Sequence, residues 1–184
     1  MTIYEIVNEV LKLLDQKEID YLLVGAIATG SWAIPRSTTD ADFVVAAPAA
    51  EVDRLLSSLP ERFKIDPQSR LEPFTGTMRW VIDVEGTEFK VEVFLQGNDP
   101  HHLEERRRRK LVHLKMLNRT AWIPMAEDII IQKLRWGRKK DLQDVDDILS
   151  VSGPELDFGY IQSWCEQHGT LAQLEEIRKS IPEI

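Results

Sequence analysis

Asp40 and Asp42 stand two residues apart in the segment Thr39–Ala46, whose alternating pattern predicts a β-strand. The two-residue period of a strand puts both carboxylates on one face of a sheet. Neighbouring carboxylates repel each other, and burying them without a counter-charge is costly. A divalent cation supplies that charge, and an oxygen-only donor set suits Mg²⁺ or Mn²⁺. Glu92, in the predicted strand Thr87–Leu95, offers a third carboxylate. With Val91, Val93 and Leu95 toward a core, Glu92 shares the other face with Lys90 and Phe94. Asp83, on the preceding strand, is a weaker candidate. Three carboxylates on neighbouring strands are what two-metal phosphoryl transfer uses.

Other residues fit the same chemistry. The apolar run Tyr21–Val24 ends at Gly25, the pattern of a strand turning sharply into a helix. Such a turn presents backbone N–H groups to an anion, and Arg36 adds a candidate two-pronged phosphate contact. Each has a structural reading beside it. Gly25 also reads as a simple turn glycine, Arg36 as a partner of Asp40, and Glu92 as a surface residue paired with Lys90 or Arg79.

The elements that must carry these residues can be read from capping and periodicity. Thr2 caps a helix with the apolar face Ile3, Ile6, Val7, Val10, Leu11 and Leu14. A helix is expected over about Ala26–Ala33, and another from Pro48 to about Ser58. Phe63–Ile65 and Met78–Val84 read as strands, with Glu85-Gly86 as a tight hairpin turn. Asp99-Pro100 opens a polar helix through the arginine run. Leu111–Met116 and Ala121–Pro124 form a small hairpin around Asn118-Arg119. Helices follow over Ala126–Trp136, over Asp141–Val151, from Asp157 to before Gly169, and from Thr170, where Thr170 and Gln173 have capping-box spacing.

With these elements in place, the sequence resembles minimal nucleotidyltransferase-fold proteins. The resemblance lies in Gly25-Ala26 followed by Pro35-Arg36-x-Thr38-x-Asp40-x-Asp42. It is closest to the bacterial branch related to AbiEii/AbiGii-type toxins. It extends through KVEVFL, the ERRRRKL run, PMAEDIIIQKLRW and KDLQDVDDIL, and so covers nearly the whole chain. It implies an α/β (α+β) nucleotidyltransferase fold: a mixed sheet flanked by helices, with a C-terminal helical extension. It also implies Mg²⁺- or Mn²⁺-dependent transfer of a nucleoside monophosphate from a nucleoside triphosphate to a hydroxyl of RNA, protein or a small molecule. Asp40, Asp42 and Glu92 would be catalytic and metal-binding, and Gly25, Ala26, Arg36, Thr38 and Lys133 would lie along the nucleotide. A toxin role with an antitoxin partner follows from the same resemblance. Two departures motivate an alternative, a catalytically inactive binding or regulatory protein of the same fold: Ala26 stands where Gly or Ser is usual, and Glu92 where Asp is more usual.

The expected organisation is an α/β core over residues 1–110 with a small hairpin and helical region over 111–184 packed on it. Of 184 residues, 31 are acidic and 23 basic, a net charge of −8 that excludes a bulk-charge coat for nucleic acid. Arg106–Lys110 reads as a charged helix face balanced by Glu104 and Glu105, or as a docking strip for RNA or triphosphate. Lys133 apart, the cations up to Lys140 read as a solvated helix end. His101 and His102 read as surface residues, and the five tryptophans as core or packing residues. Cys165 is the single cysteine, so no intrachain disulfide forms. The N-terminus reads as an amphipathic helix rather than a signal peptide, and no run is long enough to span a membrane. A cytoplasmic location is expected.

Overall fold

A computed structural model describes residues 1–68, 70–72 and 76–181. Eight helices and eight strands are found among them. The order is α1 (Ile3–Gln16), β1 (Asp20–Val24), α2 (Gly25–Thr29), β2 (Asp40–Ala46), α3 (Ala49–Leu56), β3 (Phe63–Ile65), β4 (Arg70–Glu72), β5 (Thr77–Val84), β6 (Lys90–Leu95), α4 (Pro100–Arg108), β7 (Lys110–Leu114), β8 (Arg119–Ile123), α5 (Ala126–Trp136), α6 (Lys139–Ser152), α7 (Phe158–His168) and α8 (Leu171–Ser180). The expected helical region to residue 184 reaches past the described residues at its last three positions.

The main sheet runs β1-β2-β6-β5-β3, with β4 also paired to β5. Only β2 and β6 are parallel; the other pairs are antiparallel. β7 and β8 form a separate hairpin. The sheet is mixed and flanked by helices, the fold class expected from the sequence. One cluster of buried apolar residues extends from Ile3 in α1 to Leu174 in α8. No helix among the described residues is long and apolar enough to cross a membrane.

Local chemistry accounts for most of this. The Thr2 hydroxyl accepts the Glu5 N–H at 3.2 Å, and the Thr2 N–H donates to the Glu5 carboxylate at 2.7 Å. That reciprocal cap starts α1, and its six predicted apolar residues are all buried. Asp99 caps α4 with Pro100 in the first turn. Gly137 and Gly169 end α5 and α7 in left-handed conformation.

Three local expectations are corrected, and one strand was not anticipated. α2 stops at Thr29 rather than Ala33, because the chain tightens into successive turns (Ser31 N–H to Ala28 O, Trp32 N–H to Thr29 O) ahead of Pro35. The β5–β6 connection is wider than a Glu85-Gly86 turn, since pairing closes at Asp83 and Lys90. The capping box at Thr170 does not form. β4 had no sequence signal; three residues are too few to show a period.

Candidate active site

The parallel pairing of β2 with β6 sets Asp42 directly opposite Glu92, and Asp40 opposite Lys90. The buried residues of β2 alternate as Ala41, Phe43 and Val45, so Asp40 and Asp42 both take the other face, as the period requires. Antiparallel pairing brings Val24, the last residue of β1, opposite Asp42. The chain therefore turns at Gly25 immediately over that carboxylate.

Gly25 is constrained twice. Its φ is +66°, a conformation costly for residues with a side chain, and an added Cβ would lie 2.0 Å from Asp42 Oδ2 and 2.9 Å from its Cγ. At five residues, α2 is too short to lend much dipole to an anion, so the glycine acts chiefly by making room for Asp42. Replacing Gly25 with Ala is expected to displace the Asp42 side chain. It should cost about 1–2 kcal/mol of stability from backbone strain alone, with a larger loss of metal-dependent nucleotide binding. Denaturant melts and nucleotide titrations on the variant check both.

Asp42 is partly enclosed, and its pKa is pushed up to about 7 by burial and then by the charges of Glu92 and Asp40. Lys133 and Lys140 oppose the shift without cancelling it. At neutral pH such a group is divided between its protonated and ionised forms. The donor set fits Mg²⁺, which is commonly held by one or two carboxylates and completed by substrate phosphates. No three His, Cys, Asp or Glu side chains among the described residues converge as a ready-made ligand triad. Glu92 leans to Arg79 instead, with Arg79 Nη1 3.4 Å from Glu92 Oε2.

Opposite the sheet, α5 and α6 carry a buried charge network. Lys133, only 4% exposed, is held by Asp141 at 3.3 Å and by Asp144. Asp144 also takes Arg36 through Nε at 2.8 Å and Nη2 at 3.2 Å. Burial pushes the Asp144 carboxyl up, but the hydrogen bonds from Arg36 and Lys133 outweigh it and hold the group below the usual carboxylate range. Asp141 is completed by Arg138, with Nε at 2.5 Å. Arg36 is thus anchored to Asp144 on α6 rather than to Asp40.

These elements enclose a cavity of about 310 Å³. Gly25, Ala26, Arg36, Thr38, Asp40, Asp42, Glu92 and Lys133 all line it, whereas the weaker candidate Asp83 does not. Its walls also include Arg79, Phe94, Gln96, His102, Glu105, Gln132, Trp136, Arg138 and Lys140. Sequence reading placed Arg138 and Lys140 on a solvated helix end. The left-handed Gly137 and the extended Arg138 break the helix between α5 and α6, and both Arg138 and Lys140 line the cavity.

Other expectations are corrected. Asp83 is exposed and pairs with Lys90 at 3.2 Å, away from the cavity. The arginine run is committed internally. Arg106 and Arg109 both pair with Asp20, Arg107 with Glu104, and Arg108 with Glu127 and Asp128 while stacking 3.7 Å over the Tyr160 ring. It is not a free docking strip, and its balancing acids are mostly distant in sequence. An Arg107→Ala variant, which removes the most exposed of the four, is expected to leave retention on RNA unchanged at low salt in a filter-binding measurement. His101 and His102 are buried, not surface residues. His101 packs edge-on to Trp164 and His168, and His102 Nε2 meets Gln132 at 3.2 Å.

No family model matches the sequence, and no curated protein matches it. Solved structures do. ANT(2″)-Ia in complex with adenylyl-2″-tobramycin aligns with a TM-score of 0.64 at 10% identity, over 91% of this chain and 97% of that one. An antigenic nucleotidyltransferase-like protein from Paracoccidioides brasiliensis aligns with a TM-score of 0.59 at 20% identity, over 98% and 94%. The lincosamide antibiotic adenylyltransferase LnuA, lincomycin-bound, aligns with a TM-score of 0.55 at 14% identity, over 82% and 98%. The chain has the nucleotidyltransferase fold.

Proposed function

We propose that this protein is a metal-dependent nucleotidyltransferase. The observation that carries the reading is the placement of Asp40, Asp42 and Glu92 on adjacent parallel strands, on one cavity wall, with Gly25 opened to admit the Asp42 carboxylate. Asp40 and Asp42 would hold Mg²⁺ or Mn²⁺, which supplies charge neutralisation at the phosphates. Arg36, Lys133, Arg138 and Lys140 line the same cavity across from the carboxylates and supply the positive charge a triphosphate needs, with Thr38 and the Gly25-Ala26 backbone also in its lining. Trp136 lines the same cavity, with the Arg138 guanidinium 4.9 Å from its ring centre.

In the reaction, an acceptor hydroxyl oxygen bonds to the α-phosphorus as the bond to the bridging oxygen of the β-phosphate breaks. Pyrophosphate leaves, and the hydroxyl proton passes to Glu92. Glu92 is placed for the role of base by its position on β6, directly opposite Asp42 and lining the same cavity. A toxin-type enzyme acting on RNA or protein would use this same chemistry, but the committed arginine run leaves no ready strip to hold RNA.

Calorimetry with each nucleoside triphosphate, with and without Mg²⁺, tests the reading. Mg²⁺-dependent binding is expected for wild type, weakened at least about 100-fold in the Asp40→Ala/Asp42→Ala double variant. Equal binding by both proteins contradicts it. A pH dependence follows. Below about 7 the metal must displace the Asp42 proton, so nucleotide affinity should rise roughly tenfold per pH unit and level off above 7. Affinity flat from pH 5 to 8 contradicts this.

A further inference from the structure

The cavity continues past the carboxylates. Along β2 and β6 the lining passes from Asp42 and Glu92 to Val44 and Phe94, then to Leu95 and Gln96. At about 3.3 Å per residue, that is roughly 13 Å from the level of Glu92 to Gln96. α4 begins shortly beyond, and from it His102 and Glu105 complete the cavity wall, with Ile129 and Gln132 of α5 above them.

Glu105 is the unexplained group there. It is 8% exposed, yet it makes no hydrogen bond or ion pair with any described residue. The nearby charges are taken: Arg135 is bound by Asp99 at 3.0 Å, and Asp128 by Arg108 at 3.1 Å and by the Tyr160 hydroxyl at 2.6 Å. Burial pushes the His102 imidazole below its usual range. Burial and the Asp128 charge push the Glu105 carboxyl up to about 8, which favours its protonated form at neutral pH. A buried carboxyl that lines a cavity and has no hydrogen-bond partner in the protein is open to a donor from outside.

We propose that this arm is the acceptor pocket, and that Glu105 recognises the ammonium group of a small amino- and hydroxyl-bearing acceptor. The proposal rests on the nucleotidyl-transfer reading for what happens to the hydroxyl, but not for the recognition itself. The arm is apolar at Val44, Phe94 and Ile129 and polar at Gln96 and Gln132. It thus suits the alternating apolar and hydroxyl faces of an amino sugar better than a polymer chain. Ammonium binding would favour the ionised carboxylate, releasing the Glu105 proton to solvent, and form a charge-assisted pair.

Matched probes test this on the full chain by ligand-observed NMR titration: glucosamine against glucose, and glucamine against sorbitol. In wild type the amine of each pair should bind at least about tenfold more tightly. Glu105→Gln should bring each pair to within about twofold without changing the affinity for Mg²⁺-nucleotide, and Glu105→Asp should restore part of the preference. Failure of either amine to bind, equal binding within each pair, or a preference that survives Glu105→Gln overturns the proposal. So does label transfer from nucleotide onto RNA or protein alone. Loss of the nucleotidyl-transfer reading is a separate result: no Mg²⁺-dependent triphosphate binding, with amine selectivity intact.

Discussion

Replacing Asp42 with Asn is expected to reduce nucleotidyl transfer by at least about 10³-fold while making the metal-free protein more stable. The two effects share one cause. The native state raises the Asp42 carboxyl from 3.8 to about 7, so it binds a proton more tightly than the unfolded chain does. Between pH 4 and 7 the native state therefore carries the extra proton, and the Asp42 contribution to stability falls as pH rises through that window. Above 7 the charge stays buried beside Glu92 and Asp40, a penalty of up to about 4 kcal/mol on the ionised form. Asn keeps the shape without the charge. The melting temperature of the variant should exceed that of wild type by about 4 °C or more at pH 8, with the gap closing toward pH 4. Saturating Mg²⁺-nucleotide should reverse the order. A variant less stable than wild type at pH 8 would contradict the assignment of Asp42 as an uncompensated carboxylate awaiting a cation.

Asp144→Ala is expected to give the largest loss of stability among the cavity-wall variants. Asp144 is 2% exposed and holds both Arg36 and Lys133. Its removal leaves Lys133 buried with Asp141 alone at 3.3 Å and frees Arg36 from α6. Breaking a buried ion pair from one side costs about 3–5 kcal/mol, because the orphaned charge remains in a poor solvent. Urea unfolding measures this directly. Nucleotide binding should weaken as well, since two of the cations lining the cavity lose their anchor. A stability loss under about 1 kcal/mol would mean that the network is solvated and only incidental. Asp144→Asn, which keeps one acceptor, should cost visibly less.

The placement of the candidate carboxylates was legible in the sequence because it depends on short-range rules. Asp40 and Asp42 share a face through strand period alone. Val91 and Val93 fix which way Glu92 must point, and Gly25 ends an apolar run where only a turn can follow. The structure adds that Asp42 stands opposite Glu92 rather than one row away.

What stayed hidden lies at α4. Pro100–Arg108 is polar on every side, and a polar helix reads as solvent-facing. It is in fact packed, because its charges find partners remote in sequence: Asp20 for Arg106 and Arg109, Glu127 and Asp128 for Arg108. Those pairings turn His101, His102 and Glu105 inward. No local pattern encodes them. Lys133 is an intermediate case. Helical spacing puts it in α5, but only the packing of α6 against α5 brings Asp141 and Asp144 to its amine.

The central claim is that the cavity transfers a nucleotidyl group. Its most direct measurement is a paired incubation of the protein with Mg²⁺, cell extract and the same nucleoside triphosphate carrying label at either the α- or the γ-phosphate. Label should reach an acceptor from the α position only, with pyrophosphate released in equal amount, and should vanish in Asp42→Asn. Transfer of the γ label, or α-label transfer that persists without Asp42, would contradict the account.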